Sequence, residues 1–281
     1  MAVEKMKLIA EIEKSAPLAL AEPWDNSGWQ IDMGRGEISK VLAALEISDA
    51  VIEEAALQGA SLILTHHPLL FAPLRQISAH TIAGGYLTKL IRADVSVYSA
   101  HTTFDAAPGG MNDLLAEMIG LTNIKPFLSG EGSDGAVIDL GNGMDGGLTH
   151  AIARCGEFSA PRTFREILQC VEQQIGMESR LKTVGDPERL VKNGIVCGGG
   201  GGDLTEAAMR AGYDFYLTSD IKHHQAAWAR ESGLCLIDGG HFGTERHFVP
   251  VMAARLREAF GGALSVIETG VDLDPWRWDE L

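Results

Sequence analysis

Residues 61–68, Ser-Leu-Ile-Leu-Thr-His-His-Pro, decide the fold. Ser61–Thr65 is a short apolar run without helical period, bounded by turn residues, and it reads as a buried strand. Upstream stand a helix over 49–58, closed by Gly59, and a strand from Val41 to Leu45. Downstream, a helix over 80–92 leads to a strand from Val95 to Ser99. Strand and helix alternating in this way predict an α/β fold with a largely parallel sheet. Ligands of such sheets bind beyond the carboxyl ends of the strands, which is where Thr65-His66-His67-Pro68 stands.

The alternation resumes later in the chain. A helix over 163–175, a strand over 193–197, the glycines Gly198–Gly202, a helix over 203–211 and a strand over 214–218 follow one another. A helix over 223–232, a strand over 234–237, a helix from about Thr244 to Phe260 and a strand from Leu264 to Thr269 complete it. Residues 3–15 read as a helix, 22–29 as turn chemistry carrying Trp24 and Trp29, and 129–147 as a loop-rich passage with one short strand. The expected division is a first half over 1–128, a connection over 129–190 and a second half over 191–281. The halves resemble each other. A displacement of 153 positions carries Glu53, Gly59 and Thr65 onto Glu206, Gly212 and Thr218, and one of 140 carries His101 and Asp105 onto His241 and Glu245.

Composition narrows the class. The 281 residues are 46% hydrophobic and 22% charged, which excludes a collagenous, disordered or disulfide-stapled chain. Net charge is −15 with no Lys/Arg run, which argues against nucleic acid as the main partner. Cys155, Cys170, Cys197 and Cys235 show no paired spacing and read as small buried hydrophobes in a reducing compartment. No secretory signal and no membrane span are evident, so cytoplasmic location is expected.

Three polar clusters follow strands: Thr65-His66-His67-Pro68, His101-Thr-Thr-Phe-Asp105 and His241-Phe-Gly-Thr-Glu245. Taken singly, each has an ordinary reading as loop histidines, a helix ion pair or a cap. Together they offer His66, His67, His101, Asp105, His241 and Glu245, a nitrogen–carboxylate mixture without thiols that suits two hydrolytic metal ions. Zinc, iron, manganese, cobalt and nickel all fit such donors. Gly198–Gly202 lies between strand and helix, where it either holds an anion or permits close packing. Ser219-Asp220-Ile-Lys222-His223-His224 mirrors the first histidine pair; Lys222 and His223 are candidate catalytic groups there, with His101 a further candidate for proton transfer.

Several stretches in order, PLALAEPWDNSGWQ (17–30), LILTHHPLLF (62–71), YSAHTTFDAAPGGMNDLLA (98–116), CGGGGG (197–202), LTSDIKHHQA (217–226) and GGHFGTER (239–246), resemble the Nif-three-like family of GTP cyclohydrolase I type 2 homologues. The resemblance implies two interlinked, pseudo-symmetric α/β halves with a dinuclear metal centre in the cleft between them. It implies His66, His67, Asp105, His241 and Glu245 as ligands, Glu245 as the bridge, two divalent ions per chain and a homohexamer. It also implies the short form of the family, without an inserted middle domain. Trp29 stands where the family's motif usually has Leu. The type I cyclohydrolase zinc site uses cysteine, which this constellation lacks, so the residues themselves do not call for GTP ring opening. Two functions are therefore carried forward. One is a metal-dependent hydrolase using a metal-bound hydroxide on a small, nucleotide- or phosphate-containing substrate. The other is a metal-binding regulatory or metal-handling protein without turnover. The tail, Asp272–Leu281, is expected to cover the chain's own core or pack on a neighbouring subunit.

Overall fold

Why the apolar runs become sheets is visible in their burial: all four residues of Leu62–Thr65, and all four of Ser96–Ser99, are buried. The computed structural model describes residues 2–128, 137–138, 148–149, 151–175 and 181–276. It divides into two units, one formed by Met1–Ala107 together with His247–Leu273, the other by Pro108–Arg246. These units differ from a division at 128 and 190 because Thr122–Pro126, Arg154–Thr163 and Lys182–Val184 are strands of the second sheet, while the last helix and strand return to the first.

The first unit is a five-stranded sheet in the order Ser265–Glu268, Lys40–Ala44, Leu62–Thr65, Ser96–Ser99, Gly28–Ile31. The first four strands are parallel, and the fifth runs antiparallel at the edge. Local chemistry sets the crossover helices. Asp49–Gln58 starts where the Ser48 hydroxyl accepts from the Val51 N–H and stops at Gly59, whose φ of 68° is left-handed. Ile82–Arg92 starts on Thr81, which caps Gly84. The edge strand Gly28–Ile31 begins in the last two residues of the segment 22–29 that reads as turn from sequence, and it carries Trp29 edge-on against Tyr98 at 5.2 Å.

The second unit has six strands in the order Lys182–Val184, Cys235–Asp238, Phe215–Thr218, Leu190–Val196, Arg154–Thr163, Thr122–Pro126. The second, third and fourth of these are parallel; the other pairings are antiparallel. One cluster is built on Phe164, Ile167, Val171, Phe215, Leu217 and Ile237, and another on Cys155, Ile195, Ala208, Tyr216 and Leu236. Side chains alternating along Phe215–Leu217 thus serve two faces.

The two sheets repeat one topology. Lys40–Ala44, Leu62–Thr65 and Ser96–Ser99 are consecutive parallel neighbours, as are Leu190–Val196, Phe215–Thr218 and Cys235–Asp238. In each sheet an earlier strand, Gly28–Ile31 in the first and Lys182–Val184 in the second, joins antiparallel beside the third member of the trio. The displacement of 153 carries Leu62–Thr65 onto Phe215–Thr218, so the sequence repeat and the strand repeat coincide.

Two expectations are altered. The single helix from Thr244 to Phe260 is two helices, His241–Glu245 and Phe248–Phe260. The buried residues of the second, Phe248, Met252, Ala253 and Leu256, belong to the first unit, whereas Glu245 belongs to the second. Most of the passage at 129–147 and the tail residues beyond Trp276 lie outside the described residues. One short strand in that passage, Val137–Ile138, pairs antiparallel with Leu148–Thr149 just beyond. Among the described residues no helix is long and apolar enough to cross a membrane.

Candidate metal centre

At the carboxyl end of Leu62–Thr65 the chain turns at once: the N–H groups of His66 and His67 both donate to the Leu45 carbonyl, at 3.1 and 2.9 Å. Thr65 Oγ1 donates to the His67 carbonyl at 2.9 Å. This turn cancels the alternation that would send neighbouring strand residues to opposite faces. The His66 and His67 rings therefore lie 5.1 Å apart, and His101 stands 5.1 Å from the first and 5.7 Å from the second. One ring nitrogen from each of the three lies within 4.8 Å of the others. Asp105, on the short helix Thr102–Ala106, is buried, with Oδ1 3.7 Å from His66 Nε2. The first unit thus gathers His66, His67, His101 and Asp105.

Each imidazole of the group is fixed through Nδ1. His66 Nδ1 lies 2.9 Å from the Ala100 carbonyl, His67 Nδ1 3.4 Å from Glu46 Oε2 and His101 Nδ1 2.7 Å from Asp25 Oδ1. A carbonyl or carboxylate oxygen accepts only, so the proton sits on Nδ1 and Nε2 carries the lone pair in each neutral ring. His66 Nε2 and Asp105 Oδ1 then face one another as two electron-pair donors, an arrangement suited to a cation. Asp25 is itself held ionised. Burial opposes its charge, but hydrogen bonds from His101, Ser27 and Thr102, with the nearby His101, outweigh burial and keep its carboxyl far below the usual range.

The second unit builds a related arrangement. Gly240, with φ of 73°, turns the chain from Cys235–Asp238 into the helix His241–Glu245. His241 Nε2 lies 3.2 Å from Glu245 Oε2, and Glu245 is buried. His241 Nδ1 is anchored 2.7 Å from Asp220 Oδ2. Asp220 has φ of 56°, a left-handed conformation that Asp tolerates better than most residues.

The glycine run explains itself here. The Gly198 N–H donates to Asn112 Oδ1 at 2.6 Å, that of Gly199 to Thr244 Oγ1 at 3.0 Å and that of Gly201 to the Gly199 carbonyl at 2.9 Å. Those N–H groups are engaged within the protein rather than turned toward an anion. A Cβ on Gly199 would stand 2.1 Å from Glu245 Oε1, and one on Gly201 2.4 Å from Thr218 Oγ1. The run permits close packing behind Glu245.

Lys222 and His223 are placed elsewhere in the unit. Lys222 Nζ pairs with Asp203 Oδ1 at 3.0 Å on the surface, and His223 lines a cavity of about 580 Å³ with Arg189 and Arg230. Asp25 and Glu46 are contributions that the sequence did not reveal. Asp25 lies 76 positions from its histidine, but Glu46 follows the strand Lys40–Ala44 by two residues, the same strand-end signal that marks the histidines.

Nitrogen and carboxylate donors without thiols, each imidazole presenting Nε2, fit first-row divalent ions. The family described as Duf34/NIF3 (NGG1p interacting factor 3) matches residues 3–275. A Clostridium perfringens protein named GTP cyclohydrolase 1 type 2 homolog is 32% identical over 271 residues, covering 96% of this chain and 98% of its own. The Schizosaccharomyces pombe protein NIF3 homolog is 31% identical, covering 96% of each chain. The crystal structure of a Bacillus cereus protein related to NIF3 superposes with a TM-score of 0.85 at 23% identity, over 99% of each chain.

Proposed function

The chain belongs to the Duf34/NIF3 family, and we propose that it is a metal-dependent hydrolase whose two divalent ions are held by His66, His67, Asp105, His241 and Glu245. The observation that carries this reading is the common use of Nδ1. In His66, His67, His101 and His241 that nitrogen is occupied by an oxygen acceptor, which fixes the ring and directs the Nε2 lone pair away from it. Histidines placed for packing or for surface charge have no reason to share that tautomer. Divalent ions bound by such donors polarise a substrate oxygen and acidify water.

The protein's own groups do the rest. Asp25 accepts from His101 Nδ1, which fixes the ring and leaves Nε2 on the side away from that bond, where it would serve in proton transfer. Glu245, buried against the glycine run, keeps a fixed carboxylate beside His241. The substrate class is a small amide, amidine or phosphoester, and the cyclohydrolase name carried by relatives places nucleotides first in the screen. Lys222 and His223 take no part in this reading. The family resemblance further supports a cytoplasmic homo-oligomer, with six copies as the expected assembly.

Purified protein loaded with manganese, zinc or iron should hydrolyse a member of a nucleotide, amide and phosphoester panel, and Glu245→Gln should abolish turnover while the far-ultraviolet spectrum is retained. Bound metal with no turnover across that panel contradicts the hydrolase and supports a metal-handling role.

A further inference from the structure

We propose that Trp24 and Phe71 form a preorganised platform on which a planar nitrogen-heteroaromatic ring stacks beside the His66–His67–His101 group. Its meaning as substrate recognition rests on reading that group as part of the reacting centre; the binding itself does not.

Trp24 and Phe71 are 54% and 58% exposed, yet they are not loosely placed. Their rings are 5.9 Å apart, inclined at 49°, and each meets His101 edge-on, at 6.0 and 6.3 Å. The segments bearing them are tied together by hydrogen bonds. Asn26 Nδ2 donates to the Leu70 carbonyl at 2.7 Å, the Leu70 N–H donates to Gln30 Oε1 at 3.0 Å, and Gln30 Nε2 donates to the Asn26 carbonyl at 2.6 Å. Gln30 is buried, so this link is built into the unit rather than laid on its surface. On its other side Trp24 is followed by Asp25, which the bonds to His101, Ser27 and Thr102 hold fast.

Aromatic surface left in water is unfavourable, and two aromatic rings whose segments are tied together through Asn26 and the buried Gln30 mark a place for a ligand. The chemistry of the place selects the ligand. Flat π-faces favour a flat ring over an aliphatic chain. Imidazoles at the platform's edge favour a ring whose own edge carries nitrogen and carbonyl groups, because an all-carbon ring would leave those polar atoms facing apolar surface. The 5.9 Å spacing is too short for a ring to slide between Trp24 and Phe71, so the ligand lies on one of them and abuts the other.

The test uses the full chain, with and without added metal, and adenosine, guanosine and cytidine as probes, with ribose 5-phosphate as the non-aromatic control. Equilibrium dialysis gives the affinity, and the difference in tryptophan quenching between wild type and Trp24→Ala reports on Trp24. At least one nucleoside should bind saturably, ribose 5-phosphate should not, and Trp24→Ala should weaken binding by about 5- to 150-fold. Trp24→Phe should restore most of that loss, and the metal content of both variants should equal that of wild type. Equal nucleoside affinity in wild type and Trp24→Ala overturns the platform, as does binding of ribose 5-phosphate as tight as that of the nucleosides. A change confined to oligomeric mass also overturns it, because the rings would then belong to an interface between copies. Trp24-dependent nucleoside binding in a protein that takes up no metal upholds the platform and removes the hydrolase.

Discussion

Gly199→Ala should weaken metal binding sharply without unfolding the protein. At this position φ is +63°, where a residue with a Cβ is strained by roughly 1–2 kcal/mol. The added carbon would also lie 2.1 Å from Glu245 Oε1, 3.1 Å from Cδ of the same residue and 3.2 Å from His241 Nε2. Ordinary contact begins near 3.4 Å, so the carboxylate has to withdraw by about 1 Å, a shift that a buried side chain makes only by turning away from His241. The expected result is a fall in unfolding free energy of about 1–2 kcal/mol in the metal-free protein. Metal affinity should fall by about 10- to 100-fold, the size seen when the support of a ligand is disturbed. Urea denaturation measures the first, and dialysis against a graded metal buffer followed by elemental analysis measures the second. Gly200→Ala is the control, because its Cβ would meet Asp220 Oδ2 at 3.4 Å without a left-handed φ, and it should change little. Wild-type metal affinity in Gly199→Ala would refute the argument that the glycine run exists to seat Glu245.

Asp220→Asn, which keeps a residue tolerant of the left-handed φ of 56°, should lower metal affinity by about 10- to 100-fold while leaving stability nearly unchanged, since Asp220 is 60% exposed; equal loss of both would show a structural role instead. The Asp32 carboxyl is held below its usual value first by the hydrogen bond from Lys5, against a small burial effect, with help from the Gly34 N–H. A depressed carboxyl stabilises the fold above its unfolded pKa, near 4, and that contribution is lost as pH falls through the folded value. Asp32→Asn should therefore lose less than about 1 kcal/mol near pH 7, with the difference from wild type shrinking below about pH 4 in urea titrations. Burial pushes the Cys235 thiol up to about 11, and Cys155 and Cys197 are buried as well, so iodoacetamide at pH 8 should label Cys170 first. Labelling of Cys235 at the rate of Cys170 would contradict the packing around that strand.

What could be read from the sequence was whatever the chain encodes locally. Leu62–Thr65 and Phe215–Thr218 are uninterrupted apolar runs, and the polar residues that follow them stand where parallel sheets present ligands. His66, His67, His101, Asp105, His241 and Glu245 stand out as candidates for that reason. Asp25 was not, because its partner His101 is distant in sequence and its own segment looks like a turn. The strand Gly28–Ile31, which starts at the end of that segment, pairs with Ser96–Ser99 at the sheet edge and carries Gln30 toward the interior, so its alternation is the reverse of a usual hydrophobic pattern. Arg154–Thr163 escaped notice for a similar reason. It contains Gly156 and Pro161, and a Cβ at Gly156 would stand 2.7 Å from the Thr122 carbonyl, so a residue that weakens the strand signal is required by the neighbouring strand. The division of the last helix at Arg246 and His247 leaves no mark on the helical period, since it reflects a change of unit rather than a change of local propensity.

Counting bound metal decides whether the clustered histidines and carboxylates hold ions. Wild-type protein and the His66→Ala and Glu245→Ala variants, purified without added metal and then equilibrated with zinc, iron or manganese, are dialysed and analysed by elemental mass spectrometry beside circular dichroism. About two ions per chain are expected in the wild type, with metal lost from each variant while the fold persists. A wild-type chain that retains no metal under any of these conditions would contradict that expectation, and the anchored histidines would then be structural.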